Sequence, residues 1–210
     1  MTQKTDFKKT LAGYQARAGK FQVLDLPPMQ YLMIDGHGDP NTAPDFARSI
    51  QTLYPVAYTL KFTSKTELGR DYVVPPLEGL WWAEQMAAFT TARDKSLWQW
   101  TLMLMVPEWI GAEMVTAALA TVAAKKQPPR IEELRFQSLR EGQCVQTLHI
   151  GSFDDEARVL AELHQEFLPG NALQPAGDHH EIYLSDFRRV PPARLRTILR
   201  QPVVPARANS

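Results

Sequence analysis

Apolar residues in this chain fall in short runs that stop at glycine and proline, separated by longer stretches in which they recur at helical intervals. Residues 1–19 form a polar lead-in with partial helical character. Phe21–Leu26 reads as a first extended segment, broken by Pro27 and Pro28, and Gln30–Ile34 resumes it as an apolar strand. The run Asp35-Gly36-His37-Gly38-Asp39-Pro40-Asn41 has the composition of a turn. Thr42 and Asp45 then stand at capping-box spacing, and Phe46, Ile50, Leu53, Tyr54 and Ala57 mark one buried helical face. Pro55 removes a backbone donor inside this pattern, so a kink near Leu53 or a break into two helices is expected.

Two extended segments follow, Tyr72–Trp82, interrupted by Pro75, Pro76 and Gly79, and Leu97–Val106; they are expected to pair as a hairpin. Pro107 suits the first position of a helix that runs to about Lys126 and ends at Gln127-Pro128-Pro129. From Leu134 the order starts again. Leu134–Leu139 and Cys144–Ile150 flank Glu141-Gly142, and Gly151-Ser152-Phe153-Asp154 turns the chain. Asp154 or Asp155 caps a helix with apolar positions at Val159, Leu160, Leu163, Phe167 and Leu168. Glu181–Leu184 and Thr197–Val203 are the last strands.

Each half therefore reads as broken strand, glycine turn, helix, strand, strand, with Gly36-His37-Gly38-Asp39 matching Gly151-Ser152-Phe153-Asp154. The expected fold is α+β: two tandem, pseudo-symmetric βαββ modules with a ligand cleft between their sheets. Residues 20–205 form one domain on this reading. The first repeat spans about 21–106, the linking helix 107–126, and the second repeat about 131–205.

Composition narrows the function. Hydrophobic residues make up 44% and charged residues 22%, as in an ordinary globular chain. Lysine plus arginine balance aspartate plus glutamate at 23 each, leaving no net positive field for nucleic acid. Arg188, Arg189, Arg194, Arg196 and Arg200 cluster near the C-terminus without interleaved aromatics and read as a solvated surface. The single Cys144 excludes an internal disulfide and fits a reducing compartment. No apolar run approaches the roughly 20 residues of a membrane span, and the N-terminal segment is not signal-like, so a cytoplasmic location is expected.

Candidate chemistry gathers on the late strand. Alternation puts Glu181, Tyr183 and Ser185 on one face and Ile182 and Leu184 on the other. If Ile182 and Leu184 pack under the helix, Glu181 and Tyr183 face solvent or the cleft. Trp81, Trp82, Trp98 and Trp100 concentrate on two neighbouring strands, as core or as flat walls for a planar ligand. A carboxylate among such rings has a raised pKa or pairs with a cation held against them. Adjacent His179 and His180 point to opposite faces and cannot readily share a metal; no metal site or cofactor is expected. Nucleophile elbow, phosphate loop and dinucleotide fingerprint are all missing.

Pro76-Leu77-Glu78-Gly79-Leu80-Trp81-Trp82, Trp98-Gln99-Trp100-Thr101, Leu148-His149-Ile150-Gly151 and above all His179-His180-Glu181-Ile182-Tyr183-Leu184-Ser185-Asp186 resemble the GyrI-like small-molecule-binding family, from about Phe21 to Val203. The double tryptophan is similar to the stand-alone branch, and the polar lead-in leaves no room for a fused helix-turn-helix. The resemblance implies two strand-helix-strand-strand modules and a cleft glutamate, here Glu181. It also implies hydrolysis of strained, cyclopropane-containing DNA-alkylating compounds, a detoxifying activity with Glu181 as general base and Tyr183 as its hydrogen-bonding partner. Trp81, Trp82, Trp98, Trp100, Glu78, Tyr58 and His149 are the expected ligand-facing set, and the partner a planar or lipophilic small molecule. Alternatives are binding and sequestration without turnover, and inhibition by binding another protein. Sequence alone does not decide between Glu78 and Glu181 as the dominant carboxylate.

Overall fold

A computed structural model describes residues 4–84 and 94–206, so part of the connection between the two tryptophan-rich strands lies outside the described residues. The fold is α+β. In chain order the strands are β1 (Gln22–Leu26), β2 (Met29–His37), β3 (Leu77–Trp82), β4 (Gln99–Val106), β5 (Arg135–Leu139), β6 (Gly142–Ile150), β7 (Leu173–Pro175), β8 (His179–Tyr183) and β9 (Arg196–Pro205). The principal helices are α1 (Pro44–Glu67), α2 (Ala112–Lys126) and α3 (residues 156–170), the last α-helical except for a π-helical stretch at Glu162–Phe167.

Two compact units divide these elements: Met1–Thr10 with Met29–Leu139, and Leu11–Pro28 with Arg140–Ser210. The first unit carries an antiparallel sheet in the order β3-β4-β2-β5, and the expected β3–β4 pair is present, with Trp81 opposite Trp100. The second carries β1-β6-β9-β8, with the short β7 added to β9. Each unit thus contains a strand from the other half of the sequence: β5 pairs with β2, and β1 with β6. The chain changes unit after Thr10, after the proline pair Pro27-Pro28 and after Leu139.

Helix α1 runs through Pro55 as one 24-residue element instead of breaking. Buried positions lie on both sides of the proline, Phe46, Ile50 and Leu53 before it and Val56, Ala57 and Leu60 after it. Burial of a large aliphatic side chain contributes roughly 1.5–3 kcal/mol, so this shared face outweighs the ~3 kcal/mol that a mid-helix proline costs. The helix begins at Pro44, whose missing amide donor is harmless in the first turn, and Ala43 is its cap; the Thr42 and Asp45 capping box does not form. Helix α2 starts at Ala112, later than Pro107, because Pro107–Ile110 closes a turn whose carbonyls accept two hydrogen bonds from the Gln30 amide (2.8 and 2.9 Å). Pro75 and Pro76 likewise delay β3 to Leu77, and Tyr72 instead bridges Thr5.

In the second unit α3 packs Leu163 and Leu168 onto Val145 and Val203. Ser152 and Asp155 close a capping box at its start, Ser152 Oγ donating to Asp155 Oδ2 at 2.6 Å. The opposite sheet face carries Gln146 and Arg200, whose side chains donate to the carbonyls of Ala12, Gly13 and Gln15.

Candidate functional site

The register of the second sheet decides where Glu181 stands. Val145 and Val203 touch α3; Val145 is opposite Gln201, and Leu199, two residues earlier on that strand, is opposite Glu181. Alternation therefore places His149, His179, Glu181 and Tyr183 on the face that bears the helix, and His180 and Ile182 on the other. This reverses the facing expected from packing Ile182 under the helix. Ile182 is fully buried even so, because both faces of β8 are covered.

Tyr183 Oη donates to Glu181 Oε2 at 2.8 Å. Only 14% of the Glu181 side chain is exposed, so this hydrogen bond operates with little competition from water. The Tyr183 ring meets Phe153 edge-on (centroids 5.7 Å apart, 81°) and Phe187 likewise (5.9 Å, 75°), while Phe153 and Phe187 meet at 6.0 Å. Local sequence explains both phenylalanines. Phe153 follows the capping serine at the entry to α3, and Phe187 lies in a turn closed by the Val190 amide on the Asp186 carbonyl.

His179 Nε2 lies 3.7 Å from Glu181 Oε1. Burial, with His164 and His180 nearby, pushes the His179 imidazole down to about 3, so at neutral pH it is uncharged and the contact is not an ion pair. Both ring nitrogens are enclosed and have no hydrogen-bond partner among the described residues. Burial also lowers the pKa of His164, on the π-helical stretch of α3. His149 Nε2 donates to the Ser152 carbonyl at 2.9 Å, which ties this histidine to the turn before α3.

On the far face of the same sheet lies a charge cluster that the sequence pattern did not reveal. Glu141 accepts from Arg200 Nη1 at 2.7 Å and pairs with His180 Nδ1 at 2.9 Å; all three side chains are buried. Desolvation works against the ionised Glu141, yet His180 and Arg200 outweigh it and hold the carboxyl down at about 2. Arg200, expected on a solvated surface, is fully buried here. Arg188 and Arg189 stay exposed, and both pair with Asp186.

The first unit brings together three of the four candidate tryptophans. Trp81 lies edge-on to Trp98 (5.7 Å, 75°), and Phe46 of α1 meets both Trp81 (6.1 Å) and Trp100 (5.3 Å, 80°). These indoles therefore share the helix-bearing face of their sheet. Trp100 is fully buried over Gly36, and its indole nitrogen donates to the Gly38 carbonyl; Trp98 is half-buried. Alternation along β3 sends Glu78 and Trp82 to the opposite face, apart from the three-indole group, and Glu78 is fully buried there. Tyr58 is exposed on α1, its ring between those of half-buried Tyr54 and exposed Phe62. Among the described residues no group of three acidic, histidine or cysteine side chains could hold a metal, and no helix is long and apolar enough to cross a membrane.

Comparison with known proteins matches residues 19–204 to the GyrI-like small molecule binding domain. Three solved structures from Listeria innocua superpose over 96% of this chain and all of theirs. One is described as an uncharacterized conserved protein (37% identity, TM-score 0.86) and two as hydrolases (36% and 34% identity, TM-scores 0.85 and 0.81). The C-terminal domain of EcmrR shares the fold at 11% identity (TM-score 0.55, 89% of this chain and 98% of that one). A search of curated proteins finds no match.

Proposed function

The chain belongs to the GyrI-like small-molecule-binding family, and from that premise we propose that it hydrolyses planar, lipophilic compounds carrying a strained cyclopropane, a detoxifying reaction with Glu181 as general base. The observation that carries this reading is the Glu181–Tyr183 hydrogen bond beside the Tyr183, Phe153 and Phe187 rings. A flat ligand against those rings would put its reactive carbon near an oriented carboxylate. Two similar proteins described as hydrolases support the reaction class.

In the proposed step Glu181 takes a proton from water as the oxygen bonds to the cyclopropane methylene carbon. The strained carbon–carbon bond breaks, and its electron pair passes into the conjugated ring system, which is protonated in turn; the net change is addition of one water. Ring strain supplies the driving force, and a positioned base contributes about 10²- to 10⁴-fold. Tyr183 fixes Oε2 and thereby aims Oε1. His149 sets the turn that carries Phe153.

Incubating the purified protein with a cyclopropane-containing alkylator and following products by liquid chromatography tests the proposal. Glu181→Gln should lower the rate by at least about 10²-fold while the ligand still binds in calorimetry. A Glu181→Gln protein as fast as the parent removes the assigned base. Ligand bound tightly but recovered intact from the parent establishes sequestration in place of turnover.

A further inference from the structure

The least explained polar group of the second unit is His179. Both of its ring nitrogens are enclosed and without hydrogen-bond partners among the described residues, although a neutral imidazole carries one donor and one acceptor. Nε2 is nevertheless directed at Glu181 Oε1, 3.7 Å away. That distance is too long for a hydrogen bond between them, and it fits a ring that turns its lone pair toward the carboxylate. An Nε2–H would donate to the carboxylate and draw the pair to below about 3 Å, as charge-assisted hydrogen bonds do. A lone pair on Nε2 facing an ionised oxygen has no proton to share, and the gap stays open.

We infer that His179 is a positioning residue that accepts a hydrogen bond from Glu181 once the carboxylate has taken its proton, forming Oε1–H···Nε2. The inference rests on the reading of Glu181 as general base. Tyr183 donates to Oε2, and Oε1 is the oxygen that His179 Nε2 faces, so the proton is assigned to Oε1. The acceptor stabilises the protonated form of Glu181 and so raises its basicity, which is what abstraction of a water proton requires. Burial suits His179 to this role, because it keeps the ring uncharged and its lone pair available at neutral pH. The titratable groups around it are Glu181 and Tyr183 on its own strand face, His164 from α3, and His180 on the reverse face, where Glu141 holds it. His164 is itself shifted toward the neutral form by burial, so it adds no positive charge beside His179 at neutral pH.

Nuclear magnetic resonance of the full chain labelled with ¹⁵N-histidine and ¹³C-glutamate gives a readout independent of turnover. As the Glu181 carboxyl carbon titrates, the His179 Nε2 resonance should move in step toward the position of a hydrogen-bonded acceptor, without becoming imidazolium. A His179 resonance that stays fixed while Glu181 titrates, or that reports ring protonation, overturns the inference. With the alkylator as substrate, His179→Leu should lower kcat about tenfold at unchanged KM, the equivalent of one unit of Glu181 basicity, and move the acid limb of the pH profile to lower pH. His179→Gln, which keeps an acceptor, should recover most of the loss. Full activity of His179→Leu beside an inactive Glu181→Gln overturns the role of His179 alone. Full activity of Glu181→Gln overturns the base assignment, and the inference with it.

Discussion

Replacing Gly36 by alanine is the sharpest test of how the first unit holds its indoles. A Cβ at this position would lie 2.0 Å from Trp100 Cη2, 2.3 Å from Cζ2 and 2.5 Å from Cζ3. Ordinary contact begins near 3.4 Å, so the ring must retreat by about 1.4 Å. It has no room to do so, being fully buried with Phe46 packed against it in a T-shaped contact and its nitrogen bonded to Gly38. Overpacking of this kind costs about 1–3 kcal/mol, and displacing the indole forfeits an aromatic contact and a hydrogen bond, each of the order of 1 kcal/mol. A loss of about 3 kcal/mol is expected, or a fall in Tm of roughly 6–12 °C for a chain of this size. Urea titration followed by circular dichroism measures it. Because the clashing atoms belong to the six-membered ring of the indole, Trp100→Phe should relieve the alanine, and the two substitutions should be strongly sub-additive. A Gly36→Ala cost below about 0.5 kcal/mol, or one unchanged in the Trp100→Phe background, refutes the reasoning.

Two further outcomes follow from the buried charges of the second unit. Arg200→Met leaves Glu141 buried with only His180 beside it and should cost about 3–5 kcal/mol in urea titration, whereas a surface arginine would cost almost nothing. Acid sensitivity should come first from His179. Its folded pKa of about 3 lies below the ordinary 6.5, so the unfolded chain binds the extra proton and stability falls as pH drops from 6.5 toward 3, by about 2 kcal/mol at pH 5. Glu141, held near 2 against an ordinary 4.5, contributes stability that is lost only below pH 4.5. Urea midpoints at pH 7 and pH 5 should therefore differ in the parent, and the difference should shrink in His179→Leu.

Local features were legible in sequence and non-local ones were not. The broken strands and the β3–β4 pair follow from glycine and proline acting over a few positions, whereas the cap expected at Asp154 or Asp155 is Ser152, with Asp155 reaching back to it. The exchange of β1 and β5 between units does not, because strand partners are chosen by contacts more than 100 residues apart, such as Leu24 opposite Cys144 and Leu32 opposite Phe136. Alternation correctly separated Glu181 and Tyr183 from Ile182, but it could not say which set the helix covers when both are enclosed. Arg200 shows the same limit. Its neighbours in sequence are exposed arginines, and only pairing of β9 with β6 and β8 sets it against Gln146, His180 and Glu141. His179 was visible as a histidine next to the key carboxylate, yet its missing partners are a property of the packed structure alone.

The strand exchange also dictates an order of assembly during translation. A nascent chain that has just released α2 still lacks residues 135–139, which form one side strand of its own first sheet. Meanwhile residues 22–26 wait for a partner that the ribosome has not yet made. A split between residues 126 and 131 yields two fragments, each lacking one strand of its own sheet, that can complete those sheets only by meeting.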